Sequence, residues 1–103
     1  MIRYYTLDAD NQPVRVRDLD AWAHWFENSG DRRVVARTIV GTLAVSTVFL
    51  GIDHRFIGKG PPLLFETMVF GGDDDMMRRY STWDDAEAGH NVLVKQLGAR
   101  VKT

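Results

Sequence analysis

The chain has 103 residues, with 13 Lys plus Arg against 14 Asp plus Glu, 45% hydrophobic residues and no cysteine. A chain of this length folds as one domain around one core, hiding roughly 65% of the surface that its unfolded form exposes. The missing cysteines exclude disulfide scaffolds and Cys-bearing zinc sites, and a formal charge of −1 gives no basis for a nucleic-acid binder or a polybasic membrane anchor. Met1 to Thr6 lacks the apolar stretch of a signal peptide and no apolar run approaches a bilayer span, so a cytoplasmic protein without membrane contact is expected.

Ile2 to Leu7 is aromatic and β-branched and is followed by the turn-like Asp8-Ala9-Asp10-Asn11-Gln12-Pro13, which predicts a first strand. From Asp18 to Asn28, Leu19, Trp22, Ala23 and Phe26 recur at helical spacing, with Asp18 placed as N-cap and Asn28-Ser29-Gly30 as a stop. Arg33 to Leu50 is a β-branched run broken only at Gly41-Thr42, which predicts a hairpin. Leu63 to Phe70, between Pro61-Pro62 and Gly71-Gly72, predicts a further strand, and a short piece near Arg79-Tyr80 extends the sheet. Ser81 or Thr82 caps a last helix, with Asp84 and Asp85 in the first turn where the helix dipole favours them. The order β-α-β-β-β-α with tight links predicts an α+β domain spanning 1–103, with a mainly antiparallel sheet of about four strands and two helices.

A two-residue turn at Gly41-Thr42 pairs Val40 with Leu43, Thr38 with Val45, Ala36 with Thr47 and Val34 with Phe49 on one face, the core face. The second face then carries Arg33, Val35, Arg37, Ile39, Ala44, Ser46, Val48 and Leu50. If Leu63, Phe65, Thr67 and Val69 join the core, then Leu64, Glu66, Met68 and Phe70 join this second face. It is too apolar to stay bare in a monomer without function. Two arrangements compete: one helix on each face, with Arg37 and Glu66 as a partly buried ion pair, or both helices on the core face. The second leaves this surface to a copy of the chain or to another protein.

The segment 51–62 is long for a link between neighbouring strands, and such loops often carry function. Asp53-His54 sets a carboxylate beside an imidazole, the raw material of general-base catalysis, although adjacent side chains usually diverge. Gly58-Lys59-Gly60 could offer N–H groups to a phosphate, with Lys59 or Arg55 holding the anion, but lacks the frame of a P-loop. Asp73-Asp74-Asp75 reads as a solvated loop rather than a metal site, because three consecutive carboxylates rarely converge on one ion.

In the last helix Trp83, Ala86, His90, Leu93 and Leu97 form one stripe, which turns His90 toward the sheet. A histidine on such a stripe is usually a satisfied core residue. Gly89 beside it implies close backbone packing. Trp22, Trp25 and Phe26 exceed what one buried stripe needs, so a tryptophan facing a partner is expected. No cofactor or metal site is read from the sequence, and an enzyme requires Asp53, His54, Glu66 and His90 to converge in space as a small hydrolase or nucleotide-binding site.

The stretches Val45-Ser46-Thr47-Val48-Phe49-Leu50-Gly51-Ile52-Asp53-His54, Pro61-Pro62-Leu63-Leu64-Phe65-Glu66-Thr67-Met68-Val69-Phe70-Gly71-Gly72 and Arg79-Tyr80-Ser81-Thr82-Trp83-Asp84-Asp85-Ala86-Glu87-Ala88-Gly89-His90 resemble a group of uncharacterised small proteins encoded by bacteriophages and prophages. The resemblance covers the middle and C-terminal parts of the chain and carries no catalytic role to any residue. It implies a phage accessory protein that binds and blocks a bacterial host protein, including a component of host defence. The expected contact residues are Arg37, Ser46, Val48, Leu50, Asp53, His54, Arg55, Phe56, Leu64, Glu66, Met68 and Phe70, toward a protein partner or a second copy in a dimer, with nucleic acid disfavoured.

Overall fold

The computed structural model describes residues 2–53, 60–72 and 76–101. Two antiparallel strands, β1 (Tyr4–Leu7) and β2 (Pro13–Val16), form a hairpin ahead of helix α1 (Leu19–Ser29). A 3-10 turn then leads into a four-stranded sheet of β3 (Val34–Val40), β4 (Leu43–Phe49), β5 (Phe65–Phe70) and β6 (Met77–Tyr80), and the chain ends in α2 (Trp83–Val101). The sheet order is β3-β4-β5-β6 and every pairing is antiparallel. The α+β class and the two helices match the sequence expectation. The second strand of the N-terminal hairpin is an addition: Pro13 and Arg15 leave Pro13–Val16 with little strand signal, and it pairs because Tyr4-Tyr5-Thr6-Leu7 offers a free edge.

The sheet follows from its turns and its alternation. Gly41 takes φ 62°, which a two-residue hairpin needs at its first central position to match the right-handed twist of the strands. Val40 faces Leu43, Thr38 faces Val45 and Ala36 faces Thr47, as the turn dictates. The expected Val34–Phe49 pair does not form. The register shifts between Val34 and Ala36, Val34 faces Val48, and the additional residue Val35 packs against the cluster that holds Phe49. A bulge does this by inserting one residue and turning the strand; in an unbroken run of Val34, Val35 and Ala36 no alternation marks where it sits.

Helix α2 covers one face of the sheet. Ala86, His90, Leu93 and Leu97 are buried along its inner stripe, and Thr82 Oγ1 accepts from Asp85 N at 3.0 Å to cap it. Beneath lie two apolar clusters, one with Phe49 and Phe65 and one with Val45, Val69, Leu93 and Leu97. Full burial of a phenylalanine contributes about 1.5–3 kcal/mol. Gly89 is required by close approach, since a Cβ there would meet Tyr80 ring atoms at 2.3–2.6 Å.

Helix α1 packs on the hairpin and not on the open side of the sheet. Asp18 Oδ1 accepts from Asp20 N and Ala21 N, fixing its start. Trp22 stacks near Tyr4 and Phe26 and donates its indole N–H to the Tyr5 carbonyl at 3.0 Å, while Trp25 meets Phe49 edge-on. Both tryptophans are therefore used inside the chain. The hairpin is fastened to the segment after β4: Tyr5 N donates to Gly51 O, Asp53 N donates to Arg3 O, and Tyr4 bridges Ile52. Arg32 ties the hairpin tip to the 3-10 turn through Asn11 Oδ1 and the Asp8 carbonyl.

Candidate functional site

The sheet face opposite α2 has no helix over it among the described residues. Alternation puts Arg37 and Ile39 of β3, Ala44, Ser46 and Val48 of β4, Glu66, Met68 and Phe70 of β5, and Met77 and Arg79 of β6 on this face. Ile39 is 73% exposed, Phe70 52%, Met77 50% and Met68 36%. Four strands at roughly 4.8 Å spacing and about three outward rows give a footprint of a few hundred Å², the size at which an apolar patch on a monomer tends to be functional.

Its relief comes from side-chain size. Small Ala44 and Ser46 lie along β4, with Ile39 and Arg37 rising on β3 and Phe70 and Met68 on β5. The result is a trough of about 440 Å³ lined by Arg37, Thr38, Ile39, Ala44, Val45, Ser46 and Phe70. Charge on this face is uneven. Arg79 Nε donates to Glu66 Oε2 at 3.0 Å across β6 and β5, so that pair neutralises itself. The expected Arg37–Glu66 pair does not form, because β4 separates β3 from β5 whereas Arg79 stands directly opposite Glu66. Arg37 is exposed and has no carboxylate partner among the described residues.

Of the other expected contact residues, Val48 is half-buried between Val34 and Glu66. Leu50 is half-buried and its N–H donates to Leu64 O. Leu64 is a correction: it is 1% exposed and belongs to the cluster of Leu7, Phe49, Phe65 and Ala86. Its neighbour Phe65, the first residue of β5, is fully buried in the same cluster, so this end of the sheet is closed. The hairpin supplies that closure through Leu7 and Tyr5. Asp53 is half-buried and its Oδ1 accepts from Leu63 N at 3.1 Å, an anchor for the start of the strand. His54, Arg55, Phe56, Lys59 and the aspartates at 73–75 lie outside the described residues. Sequence reading missed Met77, because β6 carries only the brief alternation Met77, Arg79.

The catalytic alternative needs Glu66 and His90 together, and the fold separates them by the thickness of the sheet. Glu66 is on the open face, whereas His90 is 1% exposed beneath α2. His90 sits in a chain of hydroxyls. Nε2 is 2.8 Å from Thr38 Oγ1, Nδ1 is 2.7 Å from Thr47 Oγ1, Thr47 Oγ1 is 2.5 Å from Thr67 Oγ1, and Thr67 donates to Tyr80 Oη at 3.2 Å. Each hydroxyl has one proton to give. With Thr67 donating to Tyr80, Thr47 donates to Thr67 and Nδ1–H donates to Thr47, and the neutral ring that burial favours then accepts from Thr38 at Nε2. Burial away from water holds its pKa below the usual histidine value. Every polar atom of the ring is satisfied and the ring is shut off from solvent, which is the behaviour of a core histidine.

A second concavity, about 240 Å³, is lined by Ile2, Arg3, Tyr4, Arg15, Val16 and Arg17. It contains neither a carboxylate nor an imidazole side chain. No three His, Asp or Glu side chains gather as a metal would require among the described residues, and no described helix is long and apolar enough to cross a membrane. No protein-family model, no curated protein and no solved structure matches the chain.

Proposed function

We propose that the protein acts by stoichiometric binding to another protein through the open face of its four-stranded sheet. The observation that supports this is the solvent exposure of Ile39, Phe70, Met77 and Met68 on one continuous surface, while the opposite face is sealed under α2. Apolar surface of this kind gains free energy when it leaves water, at about 25 cal/mol per Å². The resemblance to small phage and prophage proteins gives the context: a bacterial host protein in the cytoplasm as partner, including a component of host defence, with binding itself as the inhibitory act. A dimer of the chain is the competing occupant.

Affinity capture from a bacterial host lysate tests the reading when wild type is compared with Ala44→Trp, which fills the trough from its floor. Loss of the captured protein in the variant, with an unchanged circular dichroism spectrum, is the expected result. The same proteins retained by both forms would remove the face from the function, and a light-scattering mass of two chains would assign it to self-association.

A further inference from the structure

Granting that the open face is the docking surface, we infer that its occupant is an amphipathic helix of another protein that carries a carboxylate on its docking side. Charge is the first argument. Glu66 is already bound to Arg79, which leaves Arg37 as the uncompensated charge of the face among the described residues. A second copy of this chain brings another Arg37 and no free carboxylate, so face-to-face pairing would desolvate two guanidinium groups without a partner. A partner bearing an Asp or Glu supplies the missing charge-assisted hydrogen bonds.

Area is the second argument. A footprint of a few hundred Å² falls below the roughly 800 Å² per partner of a stable globular interface. A helix set into a groove needs less, because its apolar ridge is enclosed on two sides.

Shape is the third. The walls of the trough stand on β3 and β5, two strand spacings or roughly 10 Å apart backbone to backbone, which admits the apolar ridge of a helix while its 10–12 Å body rests on Ile39 and Phe70. Along β4 the trough runs over Ala44, Val45 and Ser46, roughly 10 Å of strand, which accommodates about two helical turns. Such an occupant would cover this face as α2 covers the other, giving three layers. Strand addition is the poorer fit, since both edges discourage pairing: β3 carries the bulge at Val35 and the charge of Arg37, and β6 is only four residues long and carries Arg78 and Arg79.

The test uses the ¹⁵N-labelled full chain and two synthetic helical peptides of about 16 residues. The peptides share one leucine face and differ only in flanking glutamates or lysines. The glutamate peptide should shift the Ile39, Ala44 and Phe70 amides and bind about tenfold more tightly than the lysine peptide, and Arg37→Glu should reverse that order. Equal affinities, no binding by either peptide, or shifts confined to other residues would overturn the inference. So would self-association that protects these amides without peptide. The two readings fail separately. Equal peptide affinities together with loss of capture in Ala44→Trp would leave docking on this face standing without the acidic helix, whereas unchanged capture in Ala44→Trp would remove the face itself.

Discussion

The two faces of the four-stranded sheet are made from the same strands, one residue apart, and both mix apolar with polar side chains, yet only one of them is covered. The face under α2 carries Thr38, Thr47 and Thr67 at its centre, joined to His90. The face in solvent carries Ile39, Met68, Phe70 and Met77. What decides burial here is which face a helix can reach, and polarity is then accommodated: hydroxyls satisfy one another and the imidazole in the interior, at a cost offset by their hydrogen bonds. The apolar face has no such local remedy, and that asymmetry carries the functional reading.

The contrast is testable by truncation on each side. Phe65→Ala should cost about 3–5 kcal/mol in chemical denaturation, as expected for a large buried aromatic, while Phe70→Ala should stay within about 0.5 kcal/mol. Comparable losses would mean that the open face is covered in solution. Next in size, Gly89→Ala should cost about 1–3 kcal/mol by overpacking against Tyr80. Pairing it with Tyr80→Leu should recover part of that loss, and strict additivity of the two would show that they do not touch.

Acidity probes the buried side alone. An unfolded histidine titrates near 6.5, and folding lowers the pKa of His90, so the unfolded chain binds the extra proton. Its contribution is therefore complete above about pH 6.5 and is lost as pH falls from there toward the folded value, at no more than about 1.4 kcal/mol per pH unit for one proton. Denaturation midpoints should show a smaller acid loss in His90→Gln than in wild type, and identical pH profiles would remove this assignment. On the open face, Glu66→Gln should cost about 1 kcal/mol, since the pair with Arg79 keeps partial solvent contact, its side chains 29% and 13% exposed.

Much of this arrangement was legible from residues alone, and the misses have local causes. Gly41-Thr42 fixed the hairpin register as far as Ala36, the stripe from Trp83 to Leu97 placed His90 against the sheet, and Gly89 announced the close approach. The bulge at Val35 was hidden because consecutive apolar residues give no parity. Alternation puts Leu64 on the open face only if the strand starts at Leu63; β5 begins at Phe65, and Leu64 joins the buried cluster with Leu7 of the distant hairpin. Glu66 was matched with Arg37 rather than Arg79 because the short β6 gave no sign of its place beside β5, and the trough itself depends on side-chain sizes across three strands.

The attachment of the N-terminal hairpin to residues 51–53 also bears on how the molecule is made. Tyr4, Tyr5 and Arg3 make the second set of their backbone contacts only after Gly51, Ile52 and Asp53 have left the ribosome. Until then Trp25 emerges without the Phe49 ring and the neighbouring cluster that later shelter it, whereas Trp22 and Phe26 already have Tyr4 and each other. Until Phe49 has emerged the nascent polypeptide therefore presents an unsheltered indole ring, the sort of transient stickiness that cellular chaperones intercept.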